Sequence, residues 1–434
     1  MQLLVLEEAQ EQNGRREGLL LLLAAAFVFV NALGLSLSVT GNVSGQHLWA
    51  PASWLGVIGV GHLLLHRYKP HRDPTIFPLY ALLTGWGLIL IDRLAVNFLG
   101  RQVIWLVLAT AVFLAVSILP KNLRWLRRYR YTWLLLGLLL LAATLIFGVN
   151  PSGYGAALWL PVPFFGQIYF QPSELLKLLL IIFLASYFEE REELLRVSTG
   201  KGLLGSLPYL APLLLMWGFC IILLVWQRDL GAATIFFVIF LTLLYVATSE
   251  RRYVILGIGL LAIATVFAYF AFQDLVALRI DAWWNPWPDA NDRAFQIVQS
   301  LYALASGHVL GQGVGQGSPY YIPVVHSDFV FAAIAEEWGL IGGIGVIICF
   351  LLLTYRGLKL AVLAQRPFYQ YLAAGITILF TVQTLLIIGG VTKLLPLTGV
   401  TLPFVSYGGS SLLISSVMLG LLLFISGTVE ETAF

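Results

Sequence analysis

The chain has 434 residues, 59% of them hydrophobic and 11% charged, about half the charged share of an ordinary soluble domain. That balance excludes a soluble globular enzyme and makes the bilayer the solvent, while a formal net charge of +3 says little, since its placement matters more than its sum; no nucleic-acid partner is expected. Cys220 and Cys349 both fall in apolar runs and read as small buried hydrophobes.

About twelve apolar runs, near 18–40, 48–66, 76–95, 102–120, 131–149, 172–188, 208–226, 229–248, 253–272, 328–353, 369–390 and 405–427, approach the roughly 20 residues that a membrane crossing needs. Backbone groups in hydrocarbon must be satisfied within each segment, so helices are predicted and the fold class is an all-α polytopic membrane protein. The first run follows Arg15 and Arg16 and exceeds a signal-peptide core, so it reads as an anchor with its N-terminus inside. That orientation puts 18 of the 25 Lys and Arg residues on the cytoplasmic side, KNLRWLRRYR at 121–130 among them, as the positive-inside rule requires. The opposite face receives 149–171, 227–229, 273–327 and 391–404, the stretches rich in Gly, Pro and aromatics.

In chain order, Asp92 and Arg93 end the third run and read as a local, snorkelling pair at the interface. The uncharged stretch 149–171 leads into QPSELLK at 171–177, where Ser173 is a candidate helix cap and Glu174 and Lys177 share one helical face. Ionisable groups inside an apolar segment point to function, although a helix-end ion pair gives the same pattern. The charged loop 189–202 reads as a solvated face. WQRDLG at 226–231 is a tight turn in which Asp229 either caps the next helix or belongs to a site. Within the long outer loop at 273–327, residues 293–306 put Phe295, Val298, Tyr302 and Ala305 on one stripe of an amphipathic helix. GQGVGQG at 311–317 lacks the strand and the GK[ST] ending of a nucleotide loop, so its glycines are expected to allow close backbone approach to a ligand. HSDF at 326–329 then opens a long apolar helix bearing Glu336 and Glu337, whose depth suits structural pairing. Asp328 stands at the start of that helix, as a cap, a functional carboxylate or both. The last outer loop carries Lys393 as its one charge and ends in SYGGSS at 406–411.

QPSE at 171–174, DLG at 229–231, QxxQSLxA at 296–303, GxGxG at 311–315, HSDF at 326–329 with EE at 336–337, and LPFVSYGGSS at 402–411 together resemble the SEDS family of FtsW, RodA and SpoVE, in the family's order over some two-thirds of the chain. The resemblance implies a SEDS-type helical bundle of about 10 core transmembrane helices with about two extra N-terminal ones. Residues 1–130 would hold N-terminal helices partly additional to the core, and 131–434 the core membrane domain with the extracytoplasmic loop 273–327. It also implies a peptidoglycan glycosyltransferase of the bacterial cytoplasmic membrane, acting on its outer face in cell division or elongation. The substrate would be lipid II, the partner a class B penicillin-binding transpeptidase, and a divalent cation, Mg²⁺ or Mn²⁺, would assist; no organic cofactor is implied. Asp328 takes the place of the essential acid and is proposed as general base and as any metal contact; Glu174, Lys177, Asp229, Arg293, Lys393, Ser406, Gly408 and Gly409 are the substrate-binding candidates. Lys177, with Arg228, Arg293 or Lys393, would hold the diphosphate as point charges. The chain departs from the family pattern at Val324, where many members have Glu, at Leu158, in place of Arg, and at Arg228, in place of Pro. The competing reading is a transporter flipping a lipid-linked precursor, since intramembrane charges also mark transport paths.

Overall fold

The computed structural model describes residues 2–150, 156–162, 168–199, 203–271 and 276–430, so parts of the loops expected at 149–171, 189–202 and 273–327 lie outside the described residues. The apolar runs fold as helices because each carries its own backbone hydrogen bonds. In order they are α1 (Gln2–Thr40), α2 (Gly45–Tyr68), α3 (Ile76–Leu94), α4 (Leu99–Ile118), the short α5 (Arg124–Arg128), α6 (Arg130–Phe147), α7 (Pro172–Thr199), α8 (Leu203–Trp226), α9 (Leu230–Thr248), α10 (Arg251–Ala271), α11 (Leu278–Trp284), α12 (Phe295–Ser306), α13 (Val330–Leu363), α14 (Pro367–Val391) and α15 (Gly409–Glu430). One two-residue antiparallel ladder, β1 (Leu160–Pro161) with β2 (Tyr169–Phe170), precedes α7.

Among the described residues eleven helices are long and apolar enough to cross a membrane. α7 differs from them in carrying Glu174 and Lys177 in its first turns, yet its 28 residues reach about 42 Å at 1.5 Å per residue, enough for a twelfth span. The chain is therefore a multi-pass membrane protein.

Backbone contacts divide the chain into two units, one of residues 1–120, 274–356 and 383–434, the other of 121–273 and 357–382. In the first, α3 is almost wholly enclosed, with α1, α2 and α4 packed about it and α15 laid along α4. In the second, α7 is the buried centre, and α6, α8 and α9 pack on it.

Three expectations change on folding. Asp92 and Arg93 do not pair locally: Asp92 Oδ2 meets His47 Nδ1 at 2.8 Å, and Arg93 Nε donates to Glu337 Oε1 at 2.9 Å. α12 forms, but its buried face is Ile297, Val298, Ser300 and Ala303, with Tyr302 exposed: Ile297 packs in a cluster with Ala282, and Ser300 Oγ donates to the Val391 carbonyl at 3.3 Å. α13 is not one straight rod: Gly339, at φ 67 and ψ −164, breaks it after residue 338.

Candidate active site

The first cluster forms where the loop before α15 folds onto the HSDF tetrad. Ser327 Oγ donates to Asp328 Oδ1 at 2.6 Å, and the Ser327 carbonyl accepts from Ser406 Oγ at 2.6 Å. Ser406 Oγ in turn accepts from the Leu402 amide at 2.9 Å, and the Tyr407 amide donates to the His326 carbonyl at 2.8 Å. Ser406 is thus a positioning group for the segment that carries Asp328. A Cβ built on Gly399 would stand 3.6 Å from Asp328 Oδ2 and 4.0 Å from Arg279 Nη2, so carboxylate and guanidinium share one neighbourhood beneath that glycine.

Asp328 keeps a partly open face, but its packed surroundings raise its pKa above the ordinary carboxylate value; the Ser327 hydrogen bond and the Arg279 charge pull the other way without winning. Burial lowers the pKa of His326. Its ring lies 5.4 Å from Phe98 and 5.8 Å from Tyr407, which stack on one another at 4.7 Å, while Arg101 sits 4.8 Å over Phe98. His326 is therefore packed in an aromatic wall.

The second cluster lies at the start of α7. Lys177 Nζ donates to Glu174 Oε1 at 2.7 Å, with both side chains buried. Asp229 Oδ1 accepts from the Ala232 amide at 3.0 Å and so caps α9, and it also feels the charges of Lys177 and Glu174 and a hydrogen bond from Ser173. The cap and cluster readings of Asp229 hold together. Burial dominates and raises its pKa. Glu174 Oε2 is buried with no hydrogen-bond partner among the described residues. With both acids ionised, the two carboxylates outweigh the one ammonium.

The remaining candidates join neither cluster by any described contact. Arg293 is exposed, and Lys393, half-buried at φ 61, offers its carbonyl to Trp283 Nε1 at 3.1 Å. At the start of α15, a Cβ on Gly409 would lie 2.1 Å from the Trp105 ring, so this glycine admits α4, whereas Gly408 is nearly open.

The glycine-rich loop docks on α13. Gly311 at φ 83 lies against Gly339 at φ 67, and a Cβ on Gly311 would come within 2.2 Å of the Glu337 carbonyl. The backbone groups freed by the break in α13 are taken up by this loop: Gln312 and Gly313 amides donate to the carbonyls of Glu336 and Glu337 at 2.9 and 3.0 Å, and Leu340 donates to His308 at 3.0 Å. The acid side chains complete the dock, Glu336 Oε1 accepting from the Ser318 amide at 2.8 Å and Glu337 Oε2 from Gly315 at 3.1 Å. Gly311 thus makes room for backbone, Gly315 for the Ser38 and Leu35 side chains and Gly317 for those of Glu336 and Glu337, and the two acids hold the loop.

Non-glycine residues at positive φ mark the same segments. Arg228 (φ 63) precedes Asp229, Val324 (φ 56) precedes HSDF, and the buried Phe404 (φ 67) precedes Ser406. Such strain persists where surrounding structure over-determines it, often at functional sites. Proline cannot take the Arg228 conformation, and Arg228 is where the chain departs from the family pattern.

Sequence reasoning passed over Arg279 and Arg101. The charge asymmetry carried the signal: once the 18 cytoplasmic-side cations are set aside, Arg93, Arg101, Lys177, Arg228, Arg279, Arg293 and Lys393 are what remains.

The FtsW/RodA/SpoVE family, described as cell cycle protein, matches residues 79–431. The peptidoglycan glycosyltransferase RodA of Mycobacterium tuberculosis is 37% identical over 95% of this chain and 90% of its own length. A probable peptidoglycan glycosyltransferase FtsW of Geobacter sulfurreducens is 37% identical over 76% of this chain and 85% of its own. Among solved structures, a chain of a peptidoglycan synthase complex that coordinates polymerization and crosslinking superposes with a TM-score of 0.68 at 28% identity, covering 82% of this chain and 97% of that one. The rod shape determining protein RodA of Thermus thermophilus matches with a TM-score of 0.58 at 25% identity, covering 82% of this chain and 97% of its own.

Proposed function

This chain belongs to the FtsW/RodA/SpoVE family, and on that premise we propose that it is a peptidoglycan glycosyltransferase polymerising lipid II at the outer face of the bacterial cytoplasmic membrane. The observation that carries the chemistry is Asp328: a partly open carboxylate two residues before an apolar helix, raised in pKa by burial, with Arg279 beside it. A lipid-linked sugar needs its reacting end at a polar boundary while its tail stays in hydrocarbon.

In the proposed step the acceptor sugar hydroxyl attacks the anomeric carbon of the donor. The new C–O bond forms as the bond to the polyprenyl diphosphate breaks, the diphosphate leaves with the electron pair, and Asp328 takes the hydroxyl proton. A raised pKa makes Asp328 a stronger base than an ordinary aspartate, and the Arg279 charge favours its ionised form at rest. Ser327 and Ser406 fix its position.

Glu174, Lys177 and Asp229 are proposed as a substrate-binding group. Because its two acids outweigh Lys177, a diphosphate is accommodated there best with an accompanying cation. Among the described residues no three metal-binding side chains stand together, so the donor set does not build a resident cage. It fits Mg²⁺ or Mn²⁺ carried by the substrate, an ion commonly held by one or two carboxylates plus phosphates. Such an ion would neutralise the charge of a diphosphate held by that group.

A class B penicillin-binding transpeptidase is the proposed partner, supported by the likeness to a chain of a synthase complex joining polymerization to crosslinking. Elongation is the favoured cellular role, since the RodA match spans 95% of this chain, against 76% for the FtsW match. The test is purified chain in liposomes with lipid II and Mg²⁺. Glycan polymer is expected from the native protein and none from Asp328→Asn; lipid II moved between leaflets without polymer would favour the transporter, and full polymer from Asp328→Asn would remove the base.

A further inference from the structure

The family match begins at residue 79, so α1 and α2 lie outside it, yet both reach the structure that leads to Asp328. From α1, Asn31 Oδ1 accepts from Trp338 Nε1 at 2.8 Å, at the residue just before the break in α13. Phe27 of α1 packs on Trp86 of α3 with centroids 4.8 Å apart, and Trp86 packs on Trp338 at 5.7 Å. A Cβ on Gly315 would fall 2.1 Å from Ser38 Oγ and 3.3 Å from Leu35, so α1 also lies hard against the glycine-rich loop. From α2, the buried His47 holds Asp92 at 2.8 Å. The next residue on α3, Arg93, binds Glu337 at 2.9 Å and the Gly317 carbonyl at 2.8 Å. Adjacent residues of α3 therefore face two ways, the acid toward α2 and the base toward the docked loop.

We infer that α1 and α2 are a brace for the catalytic segment, with Asn31 and His47 as its positioning residues. Asn31 holds the helical piece 330–338, whose first residue follows Asp328 by two positions; His47, through Asp92 and Arg93, holds the 311–318 loop docked on that piece. The inference rests on the glycosyltransferase reading for its kinetic consequence, though not for the brace itself. Misplacing a general base by about an ångström costs turnover on the order of 10- to 100-fold without touching substrate affinity.

The experiment uses full-length Asn31→Leu and His47→Leu proteins, with Asn31→Asp and His47→Gln as conservative partners, in liposomes with lipid II. Two quantities are read: amide hydrogen exchange over 311–318, and kcat and KM for lipid II. The leucine variants are expected to exchange faster in that loop and to lose about 10-fold or more in kcat at unchanged KM, with the conservative variants recovering both. Unchanged exchange in folded leucine variants overturns the brace, and faster exchange with unchanged kcat overturns its positioning role. Should the leucine variants fail to fold, the conservative pair decides: native exchange and native kcat at Asn31→Asp, which keeps an oxygen to accept from Trp338, and at His47→Gln, which keeps a side-chain donor for Asp92, support the contacts as placed, and loss of folding there too overturns a purely positioning role. If native protein makes no polymer, the glycosyltransferase reading fails, while the exchange measurement still decides the brace.

Discussion

Asp328 carries opposing demands in one carboxyl group. As a base it must be ionised, while its packed surroundings disfavour that form. A carboxyl whose folded pKa is raised costs stability above that pKa, and the cost disappears as pH falls through it. Asp328→Asn should therefore abolish polymerisation while leaving the melting temperature in detergent unchanged or higher; a lower one would mean that the side chain is chiefly a structural cap. The base is lost as pH falls, so the acid limb of kcat/KM should lie above the ordinary aspartate value of about 3.9. Arg279→Gln, which removes a charge that lowers this pKa, should move the limb higher still; a limb that stays put or moves down would exclude Arg279 from the site's electrostatics. Lys177 gives a contrasting case, because its buried pair leaves Glu174 uncompensated once the ammonium is removed. Lys177→Met should cost about 3–5 kcal/mol of stability, and Lys177→Met with Glu174→Gln clearly less; equal losses in denaturant titration would show no coupling. The candidate acids were legible because ionisable residues are rare in apolar runs. Arg279 was not, since nothing local in 273–327 says which of its charges folds back onto Asp328.

At the scale of elements, α13 and the loop before it form one unit. A helix broken in an apolar setting must have its freed amides and carbonyls satisfied, and 308–313 does this by lying against 336–341. Gly311→Ala puts a side chain at φ 83, within 2.2 Å of a backbone carbonyl. It should cost at least about 2 kcal/mol and lower polymerisation with it; native stability and activity would contradict the docked loop. The glycines were visible in sequence as permission for close approach. What approaches them was not, because a glycine's φ and its neighbour are set by tertiary packing. The buried face of α12 shows the same limit: an apolar stripe is read from spacing, but which stripe is buried depends on partners such as Ala282 and Val391.

For the whole molecule, the charge asymmetry makes a topological prediction. Alkaline phosphatase inserted near residue 290 should be active, as expected outside the membrane, and the same insertion near 364 inactive; the reverse pattern would invert the proposed orientation. Composition and hydropathy by themselves determined the fold class and the helical spans, because a bilayer admits few ways to satisfy a backbone and those ways are written in runs of about 20 residues; the family resemblance came from the ordered motifs. Ionisable residues at the ends of apolar runs, together with motif order, brought out Glu174, Lys177, Asp229 and Asp328. Only tertiary structure decided that Asp92 and Arg93 part company, that Glu336 and Glu337 hold a loop, that Arg279 stands by Asp328, and that 274–356 groups with the N-terminal helices. The physical reason is common to all four. Each depends on which charged or polar groups meet across long sequence separations, and in a low-dielectric interior that pairing is set by where the helices pack rather than by the residues' order.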